Sequence, residues 1–300
     1  MSDRRPLVSA IMPTYQGERW VGDAIESVLA QTYEQIELVV VDDASTDSTP
    51  EIVTEYARRE PDRVRLVRNS DRAGPCRRRN DAIAAARGDL IAWIDQDDLW
   101  LPTKTARQVE VLENEPEVGV VYSRYETFDS ETGERLAWGD PSEEAEGDIL
   151  VPLFVNGCFI ASLTALFRRE VLTRRALRLR ETDFSFGDDY FLWLTLALDW
   201  RVVRLNEVLA RYRRHPGSES VRLAQTNFHL RRIALLREFL ETFPEARRKL
   251  GVWRRRGLAN HYLMAADFER TQLRPFAVFR YTFAALRLDP RGTVRAVVQG

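Results

Sequence analysis

Five aspartates stand at the ends of two short apolar segments of this chain. They are Asp42, Asp43, Asp95, Asp97 and Asp98. The segments before them, residues 36–41 and 90–94, are of strand length and almost wholly apolar. Carboxylates gathered at one place repel one another unless a cation or hydrogen-bond donors lie between them. Mg²⁺ and Mn²⁺ are held by one or two carboxylates together with substrate phosphates, so the pattern predicts a divalent-ion site that binds a diphosphate. Capping of turns and helices is the alternative for any single aspartate.

Strands and helices alternate through the first hundred residues. Strands are predicted at residues 7–12, 36–41, 64–67 and 90–94, and helices at residues 20–30, 48–59 and 76–87. Strands that are apolar on both sides and alternate with helices predict an α/β fold, with a Rossmann-like, mostly parallel sheet flanked by helices. Ligands of such sheets bind beyond the carboxyl ends of the strands. Both acidic groups lie at such ends.

The alternation weakens after residue 117. Strands are predicted at residues 118–127, 164–167 and 208–212, a polar loop at 129–147, a helix at 188–198, and only helices after residue 220. We therefore predict one domain over residues 1–220 and a helical extension over residues 221–300. Within the domain, residues 1–100 form a nucleotide-binding half and residues 101–220 an acceptor and catalytic half.

Composition and charge narrow the class of protein. The 300 residues are 44% hydrophobic and 30% charged, which is typical of a soluble globular protein. Residues 221–300 contain 16 Arg or Lys against 6 Asp or Glu, a net charge of +10, which leaves −12 for residues 1–220. Arginine-rich helices packed on the main domain are the simplest interpretation, and contact with an anionic membrane surface is the alternative. We expect no nucleic-acid partner.

The sequence also lacks several recognisable signals. No apolar segment follows the charged N-terminus, and no apolar run approaches the roughly 20 residues that span a bilayer. We expect a cytoplasmic protein, with peripheral contact at the inner membrane face as the alternative. Neither Gly-x-Gly-x-x-Gly nor a P-loop is present, which argues against dinucleotide oxidoreduction and P-loop phosphoryl transfer.

Several motifs, taken in order, resemble one known family. They are VSAIMPTYQ at residues 8–16, SVLAQTY at 27–33, VVDDASTD at 40–47, Gly74 with RN at 79–80, DQDD at 95–98 with LP at 101–102, GDDYFLWL at 187–194 and YRRHPGS at 212–218. In this combination the chain resembles the family 2 glycosyltransferases, which are inverting enzymes with the GT-A fold. The resemblance covers about the first 220 residues.

The resemblance implies roles for residues around the nucleotide. Pro13, Thr14 and Tyr15 would form the wall of the nucleotide pocket. Asp43 would accept a hydrogen bond from the base, usually uracil, whose imide N–H suits a carboxylate. Arg79 would lie near the nucleotide, where its guanidinium can offset phosphate charge.

The resemblance also implies a metal site. Asp95 and Asp97 would be the Asp-x-Asp pair, with Asp97 nearest the metal and Asp95 nearer the ribose. Asp98 could exchange roles with Asp97. The ion, Mg²⁺ or Mn²⁺, would bridge the diphosphate and stabilise the leaving nucleotide. His215 would complete the metal shell or contact the diphosphate, although a histidine in such a loop is as often a surface residue.

A base must take the proton of the acceptor hydroxyl in an inverting transfer. The resemblance implies that Asp189 does so. Asp188 stands where the family usually has Glu, so the charge is kept, and either carboxylate could be the base. The structural alternative is that both only stabilise a helix N-terminus.

These observations predict an inverting, metal-dependent glycosyltransferase of cell-surface polysaccharide or glycoconjugate synthesis. Its partners would be a nucleotide-sugar donor, most often a UDP-sugar, and a saccharide, lipid-linked or protein acceptor. A nucleotidyltransferase is one alternative, although it would normally carry a Gly-rich basic loop after the first strand. The other is a non-catalytic nucleotide-sugar-binding protein.

Overall fold

The computed structural model describes residues 5–139, 145–179, 188–218 and 225–299. The strands are β1 (Val8–Thr14), β2 (Ile36–Asp42), β3 (Val64–Arg68), β4 (Leu90–Trp93), β5 (Leu99–Trp100), β6 (Val118–Asp129), β7 (Arg135–Gly139), β8 (Leu166–Arg168) and β9 (Arg201–Arg214). The helices are α1 (Val21–Leu29), α2 (Thr49–Arg59), α3 (Pro75–Ala85), α4 (Lys104–Asn114), α5 (Leu150–Asn156), α6 (Glu170–Arg174), α7 (Asp188–Leu196), α8 (Phe228–Thr242), α9 (Pro244–Leu250), α10 (Trp253–Thr271), α11 (Pro275–Leu288) and α12 (Pro290–Gln299).

The described strands form one sheet in the order β3-β2-β1-β4-β8-β6-β9-β5, with β7 paired to β6. The strands β1 to β4 pair in parallel, as their apolar sequences predict. Every residue of β1, β2 and β4 is buried, because helices cover both faces of this half of the sheet. Apolar side chains from these strands, α1 and α4 share one core. The predicted α/β fold is confirmed.

The second half of the sheet is mixed, so "mostly parallel" describes only the first half. The strand β8 runs antiparallel to both β4 and β6, whereas β6 and β9 run parallel to each other. The predicted loop at residues 129–147 was wrong in part, because it contains β7, which pairs antiparallel with β6. Arg135 and Leu136 of β7 are exposed, and an exposed edge strand lacks the apolar pattern that marks a buried one.

The chain divides into two compact units. The first unit contains Met1–Gly147, Ile160–Leu192 and Trp200–Arg214, and it holds the sheet. The second contains Asp148–Phe159, Trp193–Asp199 and His215–Gly300. In the second unit α10 packs against α5, α8 and α11. The predicted boundary, between residues 220 and 221, falls within residues 219–224, which are outside the described residues. The second unit begins before that boundary, at His215, and it also contains the segments Asp148–Phe159 and Trp193–Asp199 from within residues 1–220.

Candidate active site

The carboxylate of Asp43 is held by three donors just beyond the end of β2. Its Oδ1 accepts from the Ala73 amide at 2.7 Å and from Arg78 Nε at 2.6 Å, and its Oδ2 accepts from the Gly74 amide at 2.9 Å. Gly74 has φ +85°, a backbone conformation that favours glycine. The Asp43 amide in turn donates to the Thr14 carbonyl at 2.8 Å. A carboxylate has about four acceptor positions, so one position on Oδ2 remains after these bonds.

Arg78 is a buried residue that the sequence reasoning missed. Besides its ion pair with Asp43, its guanidinium donates to Asp81 at 2.8 Å and to the backbone carbonyl of Asp71. These partners are needed because burial of an isolated guanidinium group is very costly in free energy. The run of three arginines at residues 77–79 was a signal, but the family motif drew attention only to Arg79.

Arg78→Met is expected to lower the free energy of unfolding by about 3 kcal/mol, because it leaves the Asp43 carboxylate buried without its cation. Urea unfolding of the purified protein measures this. Arg77→Met is the matched control, since Arg77 is exposed on the same helix and surface changes stay within about 0.5 kcal/mol. Equal losses in the two variants would contradict a structural role for the buried pair.

Gln96 ties the end of β1 to the acidic loop. Its Oε1 accepts from Thr14 Oγ1 at 2.5 Å and from the Tyr15 amide at 2.8 Å, and its Nε2 donates to the Tyr15 carbonyl at 3.0 Å. A side chain at Gly17 would collide with Gln96, since a Cβ there would lie 2.4 Å from Oε1. Sequence reasoning treated Gln96 only as a spacer between aspartates. Pro13, the first residue of the predicted pocket wall, is buried within β1.

Arg79 links α3 to the same acidic loop. Its Nη2 donates to Asp95 Oδ1 at 2.7 Å, and its guanidinium lies 5.1 Å from the centroid of the Trp93 ring. Since Arg78 contacts Asp43 and Arg79 contacts Asp95, two successive residues of one helix hold the carboxylates that follow β2 and β4. The sequence prediction that these carboxylates share one sheet edge is confirmed by these contacts.

Asp98 is fully buried beneath the acidic loop. Its Oδ1 accepts from the Arg213 amide at 3.0 Å, while its buried Oδ2 has no hydrogen-bond partner within the described residues. Burial, together with the negative charges of Asp97 and Asp95, raises the pKa of Asp98 well above its usual range. The Arg213 guanidinium donates to the Asp97 carbonyl at 2.8 Å and to Asp23 at 3.0 Å. Arg213 is a second site residue that sequence reasoning missed.

These residues fit a divalent cation. A cation would give the buried Oδ2 of Asp98 a partner. It would also reduce the repulsion among the carboxylates of Asp95, Asp97 and Asp98. In the described part of the chain, no group of three or more His, Cys, Asp or Glu side chains could hold an ion. A divalent ion held by Asp97 and Asp98 would need substrate phosphates and water as its remaining ligands.

Asp189 lies in the first turn of α7, and its carboxylate is oriented by neighbouring donors. Ser162 Oγ donates to Oδ2 at 2.9 Å, and the Tyr190 amide donates to Oδ1 at 2.7 Å. Ser162 begins the 3-10 turn Ser162–Thr164, and the middle carbonyl of that turn, from Leu163, accepts from Trp100 Nε1 at 3.1 Å. The turn therefore connects Asp189 to the strand that follows the acidic loop.

Two other predicted residues are placed less fully. The Asp188 side chain is outside the described residues, so the choice between Asp188 and Asp189 stays a prediction. His215 belongs to the second unit, and its Nδ1 accepts from the Gly217 amide at 3.2 Å. In a neutral ring that bond places the proton on Nε2.

Comparison with known proteins decides the family. The sequence profile described as glycosyl transferase family 2 matches residues 9–175, more than half of the chain. The chain belongs to glycosyl transferase family 2. The matched region includes Asp43, Arg79 and the whole of residues 95–98, and Asp189 lies beyond it.

Curated relatives carry related names. The Escherichia coli UDP-Glc:alpha-D-GlcNAc-diphosphoundecaprenol beta-1,3-glucosyltransferase WfgD is 32% identical over 219 residues, covering 71% of this chain and 79% of WfgD. The Bacillus subtilis putative teichuronic acid biosynthesis glycosyltransferase TuaG is 28% identical over 214 residues, covering 71% of this chain and 81% of TuaG. These matches support a glycosyltransferase of polysaccharide or lipid-linked sugar synthesis.

Solved structures share the fold of this family 2 glycosyltransferase. The Staphylococcus aureus TarS fragment 1–349 in complex with UDP-GlcNAc has a TM-score of 0.59 and 19% identity, covering 96% of this chain and 89% of that one. The Pyrobaculum calidifontis mannosyltransferase PcManGT, in complex with GDP-Man and Mn²⁺, has a TM-score of 0.59 and 21% identity, covering 99% and 87%. At this level of identity the likeness concerns the GT-A fold.

Proposed function

We propose that this family 2 glycosyltransferase moves a sugar from a UDP-sugar to a hydroxyl of a lipid-linked saccharide, with inversion at the anomeric carbon. The observation that carries the proposal is the pair Arg78–Arg79, which joins Asp43 and Asp95 at one sheet edge. Gln96 connects the end of β1 to the same edge, because it accepts hydrogen bonds from Thr14 and from the Tyr15 amide. Ligands of such sheets bind along the edge that the carboxyl ends of the strands form, and a nucleoside diphosphate is long enough to contact several of those ends.

The hydrogen bonding of Asp43 supports uracil as the base. One acceptor position remains on Oδ2, and uracil offers one imide N–H to such a position. Guanine would present two neighbouring donors, N1–H and N2–H, and would need both carboxylate oxygens. Asp43 Oδ1 already accepts from Ala73 and Arg78, so a single donor is the better match.

Asp97 and Asp98 would hold Mg²⁺ or Mn²⁺, as their fit to a cation supports. When bound, the ion would offset the negative charge that develops on the leaving diphosphate. Asp95 would face the ribose while it pairs with Arg79. His215 remains a predicted metal ligand or diphosphate contact.

Asp189 would act as the base. It takes the proton from the acceptor hydroxyl while that oxygen forms its bond to the anomeric carbon, and the bond from this carbon to the UDP oxygen breaks. Ser162 acts as a positioning residue. Its hydroxyl holds Oδ2 of Asp189 and leaves the remaining lone pairs of the carboxylate to accept a proton. The proton is lost to water after UDP departs.

The names of two relatives support the proposed acceptor class. WfgD is named for an acceptor linked to diphosphoundecaprenol, and so is the Escherichia coli relative WfaP, at 32% identity. A lipid-linked acceptor would hold the reaction at a membrane surface. We therefore keep a cytoplasmic location with peripheral contact at the inner membrane face as part of the proposal.

A thermal-shift series tests the choice of donor. UDP with Mn²⁺ at about 100 times its Kd should stabilise the protein by about 2.7 kcal/mol and raise the Tm by about 5 °C, whereas GDP should do much less. Removal of the ion with EDTA should reduce the UDP shift, and Asp43→Asn should abolish the preference for UDP.

Three outcomes would count against the proposal. Equal shifts with GDP would contradict uracil recognition. A UDP shift without transfer from UDP-glucose to a GlcNAc-diphosphate lipid would favour a non-catalytic binding protein. Release of pyrophosphate from a nucleoside triphosphate would favour a nucleotidyltransferase.

A further inference from the structure

One face of α11 carries apolar and cationic residues side by side. Phe276, Phe279 and Phe283 are 90%, 73% and 52% exposed, and the rings of Phe279 and Phe283 stack with centroids 6.2 Å apart. Arg280 and Arg287 are also exposed. Residues three, four and seven positions apart lie on one side of an α-helix. These five residues therefore form one surface, here called the Phe–Arg face.

The opposite face of α11 is occupied. Tyr281 and Ala285 are buried, and Tyr281 shares an apolar cluster with Ala265 and Ala266 of α10. The helix is thus anchored by its inner side. The Phe–Arg face is left uncovered by the described part of the chain, and exposed aromatic residues in such a row mark an interaction surface.

The helix α12 repeats this arrangement. Val294 and Val298 are 55% and 79% exposed, and they share a helical face with the exposed residues Arg291 and Arg295. From residue 272 to residue 299 the sequence contains five arginines and one acidic residue, a net charge of +4. Arg291 and Arg295, together with Arg256, also line a pocket of about 670 Å³ in the second unit. Apolar surface and positive charge therefore occur together on both helices.

The geometry points to α11 and α12 as a docking surface for an anionic lipid bilayer. The phenylalanines of the Phe–Arg face enter the boundary between headgroups and acyl chains, and the arginines contact lipid phosphates. Within the described residues no helix is long and apolar enough to cross a membrane. The α11 helix lies in the plane of the surface, since its inner side is held by α10.

A second copy of the chain is the other occupant to consider, and charge argues against it. A symmetric dimer through this surface would bring the same arginines of both copies together. Like charges at an interface are unfavourable. An anionic bilayer turns the same arginines into favourable contacts. Residues 1–220 carry a net charge of −12, so attraction to such a bilayer must come from the C-terminal helices.

Vesicle flotation of the whole protein tests the inference without any nucleotide sugar, so its result is independent of transfer activity. The probe is phosphatidylcholine vesicles with about one third phosphatidylglycerol, at low and high salt. The protein should float with these vesicles at low salt, less at high salt, and not with pure phosphatidylcholine. The triple variant Phe276→Ser, Phe279→Ser, Phe283→Ser should bind about 100-fold more weakly. Arg280→Gln with Arg287→Gln should weaken binding about 30-fold.

Matched variants outside the surface separate local docking from general attraction. Val252→Ser changes an exposed apolar residue, and Arg248→Gln with Arg255→Gln removes two exposed charges elsewhere in the second unit. Both controls should bind vesicles within about twofold of the parent protein. Controls that weaken binding as strongly as the test variants would overturn the inference. So would absence of flotation at low salt, or a dimer in sedimentation velocity that the triple Phe variant dissociates.

Discussion

Asp97→Asn is expected to lower the rate of sugar transfer about 10³-fold, because it removes a carboxylate predicted to hold the ion at the leaving diphosphate. An amide of the same shape preserves packing, and it relieves repulsion with Asp95 and Asp98. The fold should therefore be at least as stable as that of the parent. Single-turnover transfer from UDP-glucose to a GlcNAc-diphosphate lipid, over a series of Mn²⁺ concentrations, measures the effect.

Asp62→Asn is the control for this variant. Asp62 is an exposed aspartate of the first unit, in the turn before β3. It therefore lies at the amino end of that strand, whereas the acidic loop lies at the carboxyl ends of the parallel strands. Its replacement should leave the rate and the Mn²⁺ dependence unchanged. If Asp97→Asn kept full activity in Mn²⁺, or if the parent enzyme were fully active in EDTA, the proposed role of the acidic loop would be wrong.

Asp189→Asn should lower the turnover number about 10³-fold while the affinity for UDP with Mn²⁺ stays unchanged, because an amide cannot accept the proton of the acceptor hydroxyl. Donor binding and the proton transfer use different residues in this proposal. Calorimetric titration of UDP therefore measures one function, and transfer kinetics measures the other.

Ser162→Ala offers a graded test of the same site. Its hydroxyl holds Asp189 at 2.9 Å, so its removal should lower the turnover number about tenfold and leave KM for the donor unchanged. An unchanged KM for the donor separates this positioning role from a general loss of packing. Glu170→Gln, a change at an exposed position at the start of α6 in the first unit, should have no effect. A normal turnover number in Asp189→Asn would remove Asp189 from the reaction and leave Asp188 as the remaining candidate.

The family motifs and local periodicity predicted much of the nucleotide-binding half. The apolar segments that became β1, β2 and β4 are buried along their whole length, and such segments have few alternatives to a covered parallel sheet. The placement of Asp43 and Asp95 at one edge follows, because parallel strands direct their carboxyl ends the same way. Pro50 lies in the first turn of α2, since its fixed φ suits that position.

The edge strand β7 and the full length of β9 were not predicted. Residues 201–214 form one strand, although only residues 208–212 show a clear strand pattern. Its flanking positions are polar and partly exposed, so their extended conformation comes from pairing with β6. Strand propensity depends on neighbours in the sheet, which a single segment does not reveal.

What the sequence by itself determined is which carboxylates follow the strands, and its motifs identified the family. Only the tertiary structure decided how these groups are held: Arg78 pairs with Asp43, Arg79 pairs with Asp95, and Gln96 bridges to Thr14. It also decided that Arg213 reaches Asp23, which is 190 residues away along the chain. Local periodicity reports how a segment is buried, but such contacts depend on strand order and register, which arise only when distant segments pack together.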